Sequence, residues 1–228
     1  MLNVLYEDNH IIVVVKPQNV PSQEDESKDL DMLNIVKQYV KEKYNKPNNV
    51  YIGLVHRLDR PTGGVMVFAR TSKAAERLSK QIVNKDFKKY YLTVVEGCPK
   101  QNFKRLTNYL KKDTKNNKVS VVPKLETGAK YAELEYNTLG KYEDKLTMLK
   151  VELFTGRSHQ IRAQLSFNGN PIVSDVKYGA KMRICKNLSL WAYKICFLHP
   201  ITNKMMQFMC YPPSDELPWK YFNLDVIL

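Results

Sequence analysis

The chain has 228 residues, a hydrophobic fraction of 43% and a formal net charge of +13. This length and composition indicate a packed globular protein and argue against disorder. No run of about twenty apolar residues occurs, so no membrane-spanning helix is predicted. The N-terminus lacks the regions of a signal peptide, which favours a cytoplasmic protein. The cysteines are scattered without a CxxC pair, which argues against a zinc site and predicts reduced thiols: Cys98, Cys185, Cys196 and Cys210.

The positive charge is unevenly distributed. Residues 100–118 carry seven lysines and arginines against one acid, Asp113, whereas residues 24–31 are mainly acidic. A surplus of this size favours a polyanionic partner such as nucleic acid, although a generally lysine-rich proteome would give the same composition. The basic segment is either a solvated loop or an arm that contacts phosphates.

Hydrophobic periodicity and turn residues predict many strands and few helices, without a βαβ rhythm. This order favours an α+β fold with a largely antiparallel sheet, and the absence of a linker favours one domain over residues 1–228. Residues 98–118 are predicted as a polar stretch. The predicted elements in chain order are a strand at 11–15, a helix at 30–44, a strand at 65–69, a helix from an N-cap at Thr71–Ser72 to about Val83, strands at 89–95, 119–122, 129–138 and 146–154, a helix from His159 to Phe167 with Ser158 as N-cap, and strands at 188–198 and 204–211.

One unusual segment runs from His56 to Val65 and ends in a paired-glycine turn before an apolar strand. Asp59 is placed on the loop before that strand, between Arg57 and Arg60. Neighbouring guanidinium groups favour the ionised form of a carboxylate. Such a carboxylate is a nucleophile, a base or a structural ion pair, and this segment alone leaves the three open.

A second unusual segment is Gly156 to Arg162, where Arg162 is placed near a helix start and could reach a carboxylate or a phosphate. An ordinary polar surface helix is the alternative. The chain has no Walker loop, no GxGxxG and no GxSxG elbow, and no second acid stands out beside Asp59. Asp175 is interpreted as a turn residue.

Together these segments resemble the RluA-type family of RNA pseudouridine synthases. The similarity extends from about Tyr6 to Tyr211. The matching blocks are His56-Arg57-Leu58-Asp59 with Thr62-Gly63-Gly64, Lys89-Tyr90-Tyr91-Leu92, Gly156-Arg157-Ser158-His159-Gln160-Ile161-Arg162, and Asn170-Pro171-Ile172-Val173-Ser174-Asp175 with Tyr178-Gly179.

The resemblance implies one catalytic domain with a large, mostly antiparallel mixed sheet flanked by helices. It implies isomerisation of uridine in ribosomal or transfer RNA, without cofactor or metal, by a monomer. Because the similarity starts almost at residue 1, no N-terminal S4 RNA-binding domain is expected. The implied catalytic residues are Asp59, Tyr91, which would contact the uracil ring, and Arg162, which would pair with Asp59.

The same resemblance suggests that Arg57 helps to extrude the target base and holds RNA. Further RNA contacts are expected in the same two segments, from Arg60, Arg157, His159 and Gln160. His56 and His159 are interpreted as structural hydrogen-bonding residues rather than acids or bases. The chain departs from the family's usual residues at positions expected to affect the choice of substrate: Gly63, Gln164, Ser174, where glycine is usual, and Trp191.

Two other functions are compatible with parts of the sequence. A non-catalytic RNA-binding or ribosome-assembly protein could have kept the fold, but it would not need an intact Asp59. A hydrolytic nucleosidase could use Asp59, but it would release free uracil, and it does not account for the charge of +13.

Overall fold

The structure is a computed structural model that describes residues 2–224. These residues form two compact units. Unit 1 comprises the chain up to Lys89 and the segment Ala192–Cys210, and unit 2 comprises Tyr90–Trp191 and the residues from Tyr211 onward. Each unit contains both strands and helices, and the single domain suggested by the sequence stays a prediction.

Three helices and eleven strands are described. The helices are α1 (Met32–Lys43), α2 (Ser72–Val83) and α3 (Gln160–Phe167). The strands in chain order are β1 (Asn3–Glu7), β2 (Ile11–Lys16), β3 (Gly53–Leu54), β4 (Gly63–Ala69), β5 (Lys88–Glu96), β6 (Phe103–Asp113), β7 (Lys118–Val122), β8 (Lys130–Tyr142), β9 (Leu146–Leu153), β10 (Leu190–Leu198) and β11 (Met205–Met209).

Unit 1 is built around β2 and β4, which pair antiparallel from Ile11 opposite Ala69 to Lys16 opposite Gly64. Both strands are almost wholly buried, which explains why they appear in the sequence as continuous apolar runs. Strand β1 pairs with the other edge of β2, and β10 and β11 form an antiparallel hairpin. The core joins the strands to α2 and contains Ile11, Val13, Val65, Val67, Ala69, Ala74, Leu78, Phe87, Ile195 and Phe197.

The structure confirms the N-cap predicted for α2 and shows which residue caps α1. The Thr71 side chain accepts a hydrogen bond from the backbone N–H of Ala74 at the start of α2, as predicted. At the start of α1 the cap is Asp31, whose carboxylate accepts from the backbone N–H of Asn34 at 3.1 Å. This cap begins α1 at Met32, two residues after the predicted start.

Unit 2 is an antiparallel ladder in the order β5, β9, β8, β6 and β7. Helix α3 packs on one face of this ladder through Ala163. The sheet residues in the same apolar cluster are Leu110, Val119 and Ala132, and Tyr178 completes it. The helix therefore covers the face of β6, β7 and β8 on which these apolar residues lie.

The prediction of a polar stretch over residues 98–118 was wrong, because β6 occupies Phe103–Asp113. Leu106 and Leu110 are buried, but the position between them on the same face is the polar Asn108. Asn108 fits there because its side-chain oxygen accepts a hydrogen bond from Gln164 of α3. Because of this one hydrogen-bonded polar residue, the sequence of β6 did not show the alternation of polar and apolar residues that predicts a strand. Strand β1 was also missed by the sequence analysis.

The α+β class is confirmed by this arrangement of antiparallel strands and short helices. Among residues 2–224, no helix combines the length and the apolar character needed to cross a membrane.

Candidate active site

Asp59 lies in unit 1, on the loop that leads into β4, and is half-buried. The backbone N–H of Thr62 donates to the carbonyl of Asp59 at 2.9 Å, which closes a turn just before the strand begins. The turn places Asp59 just before the start of a buried strand, as the sequence predicted.

A buried lysine fixes the loop that carries Asp59. The Nζ atom of Lys16, at the end of β2, donates to the carbonyl oxygens of Pro17 at 2.9 Å, Val20 at 2.6 Å and Arg60 at 3.0 Å. Lys16 has no exposed surface. Its three donors therefore join the segment after β2 to the residue beside Asp59. The sequence analysis missed this role, since the strand predicted there ends at residue 15, just before Lys16.

Burial lowers the pKa of Lys16 to about 7, although the nearby charge of Asp59 acts in the opposite direction. The folded state therefore binds this proton more weakly than the unfolded state. Consequently the unfolded chain holds more protons between about pH 7 and pH 10.5, and the contribution of Lys16 to stability rises with pH over that interval.

We expect the wild type to gain stability, by up to a few kcal/mol, relative to Lys16→Met as the pH is raised from 7 to 10. Urea unfolding of both proteins across this range measures the difference. Lys80→Met, which removes an exposed lysine on α2, is the matched control and should show no such pH-dependent difference. A constant difference between wild type and Lys16→Met would show that Lys16 keeps its proton throughout.

Ser22 holds the same loop from the other side. Its Oγ atom donates to the carbonyl of Leu58 at 2.7 Å and accepts from the backbone N–H of Leu58 at 3.1 Å. Ser22 and Leu58 are both buried. The hydroxyl therefore satisfies both backbone groups of the residue immediately before Asp59.

We expect Ser22→Ala to lower the free energy of unfolding by about 1–3 kcal/mol, because it leaves two buried backbone groups of Leu58 unpaired. Urea unfolding measures this loss, and the turnover rate should fall with it because Asp59 is less well held. Ser79→Ala on the exposed surface of α2 is the control and should change neither quantity. Unchanged stability in Ser22→Ala would contradict the role of the hydroxyl.

Gly64 marks the point where β4 meets another backbone. Its φ is +123°, and an added Cβ would lie 2.2 Å from the carbonyl oxygen of Ala192. No other residue fits this conformation and this close approach. The second glycine of the pair therefore fixes the start of β4, and with it the position of the Asp59 turn.

His56 is structural, as the sequence analysis expected. Its Nε2 atom accepts a hydrogen bond from the backbone N–H of Val67 at 3.1 Å, and its ring packs against Phe87. Burial lowers the pKa of His56 to about 3, and the charge of Lys89 adds to this effect. The ring is therefore neutral at physiological pH and holds the segment before Asp59 against β4.

The two arginines beside Asp59 differ. Arg57 is exposed, and its side chain makes no hydrogen bond or ion pair in the part of the chain that the structure describes. Arg60 instead binds the acidic loop, with an ion pair to Asp29 and hydrogen bonds to Ser27 at 2.8 Å and to the carbonyl of Asn19 at 3.2 Å. Arg57 is therefore better placed than Arg60 to contact RNA, and the RNA contacts expected of both residues stay predictions.

Tyr91 and Arg162 both belong to unit 2. Tyr91 lies in β5 opposite Val151 of β9 and is 6% exposed, while its neighbour Tyr90 is half-buried. Successive residues of a strand point to opposite faces, so the two rings occupy different sides of the ladder. The ring-contacting role of Tyr91 stays a prediction.

Arg162 is buried and forms a bidentate ion pair with the buried Asp175. Its Nε and one terminal nitrogen each lie 2.7 Å from a carboxylate oxygen of Asp175, and the guanidinium lies 4.8 Å from the centre of the Tyr178 ring. Asp175 does lie in a turn, as the sequence indicated, because its carbonyl accepts from the backbone N–H of Tyr178 at 3.0 Å, but the sequence analysis missed its ion pair with Arg162. The predicted pairing of Arg162 with Asp59 stays a prediction, since the two residues belong to different units.

The start of α3 differs from the prediction. Its N-cap is His159, in a left-handed conformation with φ of 48°, and not Ser158. Gln160 stabilises this turn, because its Oε1 accepts from the backbone N–H of Arg157 at 3.0 Å and from the hydroxyl of Thr155 at 2.8 Å. The turn is therefore closed by a side chain that follows the cap.

The predicted RNA contacts of this segment differ in exposure. Gln160 is 2% exposed, and its amide also donates to the carbonyl of Glu133, so the structure favours a structural role over the expected contact with RNA. His159 is buried, with Nδ1 2.9 Å from the hydroxyl of Tyr178. Arg157 is exposed, and its Nε donates to the carbonyl of Tyr131 at 2.9 Å. Arg157 is thus the residue best placed to contact a ligand.

Metal-ligating side chains do not cluster here. Within residues 2–224, no group of three or more histidines, cysteines, aspartates or glutamates has the arrangement of a metal site.

Comparisons with known proteins place the chain in a family. Residues 10–167 match the sequence profile of the RNA pseudouridylate synthase family. The chain is 34% identical over 212 residues to the dual-specificity RNA pseudouridine synthase RluA of Yersinia pestis, covering 91% of this chain and 97% of that protein. The chain therefore belongs to the RNA pseudouridylate synthase family.

Other relatives are longer than the matched region. An uncharacterized RNA pseudouridine synthase of Mycoplasma genitalium is 34% identical over 215 residues, which cover 91% of this chain but 65% of that protein. Among solved structures, human RNA pseudouridylate synthase domain containing 4 matches with a TM-score of 0.78 and 20% identity, over 96% of this chain and 90% of that chain. This second likeness supports the fold alone.

Proposed function

We propose that the protein isomerises specific uridines in RNA to pseudouridine, with Asp59 as the catalytic group. The main structural support is the construction of the Asp59 loop. Lys16 and Ser22, both buried, hold the residues on either side of a half-buried carboxylate. A protein that only bound RNA would not need a carboxylate held in this way. Family membership supplies the reaction class.

The reaction rearranges one nucleotide without changing its composition. The bond between N1 of uracil and C1′ of ribose breaks, and a bond forms between C5 and C1′. C5 then loses its proton to a base, and N1 gains one. Asp59 would act as the nucleophile or base near the sugar, and no redox carrier enters the balance.

Tyr91 and Arg162 would assist Asp59 in this proposal. Tyr91 would stack on the uracil and offer its hydroxyl for removal of the C5 proton. Arg162 would supply positive charge beside the carboxylate, in addition to its ion pair with Asp175. A base in structured RNA must first leave its stack, at a cost of a few kcal/mol. The exposed Arg57 is suited to fill the resulting gap and to hold a phosphate.

The net charge of +13 supports an electrostatic contribution to RNA affinity. We expect replacement of Lys111, Lys112 and Lys115 by alanine to reduce the slope of log affinity against log salt by roughly one to three units. Lys111 pairs with Glu126 at 2.6 Å, so we expect it to contribute least. A matched replacement of Lys73, Lys80 and Lys85 on unit 1 controls for net charge alone. An unchanged slope in the first variant would show that residues 111–115 face away from RNA.

The RNA class is proposed as ribosomal or transfer RNA. Relatives of this chain include a ribosomal large subunit pseudouridine synthase C of Buchnera aphidicola, 32% identical over 209 residues. We further propose that the protein is a monomer that acts in the cytoplasm, where both RNAs occur.

Pseudouridine mapping of total RNA from cells with and without the gene tests the proposed function. The proposal requires that at least one pseudouridine disappears with the gene and returns when the wild-type gene is restored. Restoration by Asp59→Asn would exclude Asp59 as the catalytic group. An unchanged map would favour the non-catalytic RNA-binding alternative.

A further inference from the structure

A pair of tyrosines lies on the sheet face of unit 2 that does not carry α3. Leu110 and Ala132 face the helix, so their neighbours Tyr109 and Tyr131 point to the opposite side of β6 and β8. Tyr109 and Tyr131 are directly opposite each other in the ladder. Their ring centres are 5.9 Å apart and their planes meet at 73°, and Tyr131 is 37% exposed.

Cationic side chains lie near this pair, and so do the acids Glu126 and Glu133. The Nζ atom of Lys124 lies 6.0 Å from the centre of the Tyr109 ring. Arg157 donates to the carbonyl of Tyr131 and is exposed, and Lys111 lies on the same face as the rings in an ion pair with Glu126. We call Tyr109, Tyr131, Lys124 and Arg157 the tyrosine platform.

A cross-strand aromatic pair stabilises a sheet by itself, so the rings alone would not indicate a ligand. The combination with exposed cations is more specific. Bases stack on aromatic side chains irrespective of sequence, while lysines and arginines bind the adjoining phosphates. The platform therefore has the two chemical features that recognise an unpaired nucleotide.

The platform is also continuous with one of the two segments that define the site. Arg157 belongs to the turn that Gln160 closes before α3, and Arg162 is in the first turn of that helix. An RNA strand bound along this turn would reach Tyr131 without leaving unit 2. This places the platform beside the chain segment expected to contact substrate.

We propose that the tyrosine platform binds an unpaired nucleotide of the RNA substrate, outside the target uridine, by stacking on Tyr131. This inference rests on the proposed function for the identity of the substrate. It assigns a binding contact to residues that the catalytic proposal does not use, and it predicts that the RNA is single-stranded where it meets the platform.

The test compares binding of a short fluorescein-labelled single-stranded RNA with binding of a duplex of the same sequence, at fixed salt. Tyr131→Leu removes the stacking surface but keeps an apolar side chain. We expect it to weaken single-strand binding roughly tenfold and to leave duplex binding unchanged. Tyr131→Phe keeps the ring and should bind like the wild type. Phe167→Leu, at an exposed aromatic residue at the end of α3, is the matched control and should also bind like the wild type.

Equal single-strand affinity of Tyr131→Leu and wild type would overturn the proposal, as would an equal loss on both RNAs. If Tyr131→Leu fails to fold, photocrosslinking of wild type with RNA carrying 5-iodouridine decides instead. A crosslink to the peptide of Tyr109 or Tyr131 supports the platform, and crosslinks confined to other peptides exclude it.

Pseudouridine formation, measured separately, keeps the two proposals distinct. If pseudouridine is formed and Tyr131→Leu binds single-stranded RNA as tightly as the wild type does, the platform is overturned and the proposed function stands. If no pseudouridine is formed but Tyr131→Leu loses single-strand binding as expected, the proposed function is overturned and the platform remains an RNA-binding surface.

Discussion

Asp59→Asn should abolish pseudouridine formation while RNA affinity stays within a few-fold of wild type. The change removes the charge and nucleophilicity of the carboxylate but keeps its shape, and the loop contacts of Lys16 and Ser22 involve neighbouring backbone groups that the substitution does not alter. Affinity should persist because phosphate contacts, made mainly by lysines and arginines, provide most of it.

Single-turnover kinetics and filter binding on one RNA measure both quantities for Asp59→Asn. Asp86→Asn, an exposed acid in the same unit, is the matched control and should retain wild-type turnover. Normal turnover by Asp59→Asn would remove Asp59 from the mechanism. A parallel loss of affinity would instead indicate that Asp59 shapes the RNA surface.

Arg162→Met should destabilise the protein by about 3–5 kcal/mol, because it leaves the carboxylate of Asp175 buried without its bidentate partner. Loss of activity in this single variant would therefore be ambiguous. The double variant Arg162→Met with Asp175→Leu removes both charges and should recover much of the stability, since apolar residues often replace a buried ion pair without loss.

The double variant allows the effect on catalysis to be measured separately from the effect on stability. If Arg162 also acts in the reaction, the double variant should fold like the wild type, by urea unfolding, and remain inactive. Recovery of activity along with stability would show that Arg162 serves only the ion pair with Asp175. Lys145→Met provides the exposed comparison: its ion pair with Glu143 is at the surface, so it should cost no more than about 1 kcal/mol.

The elements with strong local signals could be predicted from the sequence. The apolar runs of β2 and β4 and the Thr71 cap of α2 depend on neighbouring residues, and the structure confirms them. Strand β6 could not be predicted in this way, because Asn108 interrupts its alternation and is satisfied only by Gln164, 56 residues away. The local sequence pattern does not predict a strand where the hydrogen bond that stabilises a polar residue inside the sheet comes from a residue far away in the chain.

The site shows the same limit. The sequence singled out Asp59 and Arg162 as candidates through their motifs, but it did not reveal the residues that hold them. Lys16 binds backbone carbonyls, which every residue has, so the sequence gives no signal for this role. Asp175 pairs with Arg162 because the fold brings its turn next to α3.

Ser174 illustrates a departure that the fold accommodates. It stands where the family resemblance predicts glycine, and its φ of 64° is in the left-handed region that favours glycine. Its hydroxyl donates to the carbonyl of Cys185 at 2.9 Å. This hydrogen bond offsets part of the backbone strain, so the fold accommodates serine at this position.

The most direct test of the proposed isomerisation uses RNA in which uridine carries tritium at C5. Formation of the bond between C5 and C1′ displaces that hydrogen, so the wild-type protein should release one tritium to water for each pseudouridine formed, with no free uracil. Release of free uracil would identify a hydrolytic nucleosidase. Binding of the RNA with no release of tritium, from ribosomal or transfer RNA lacking the modification, would contradict the assignment of the chain as a pseudouridine synthase.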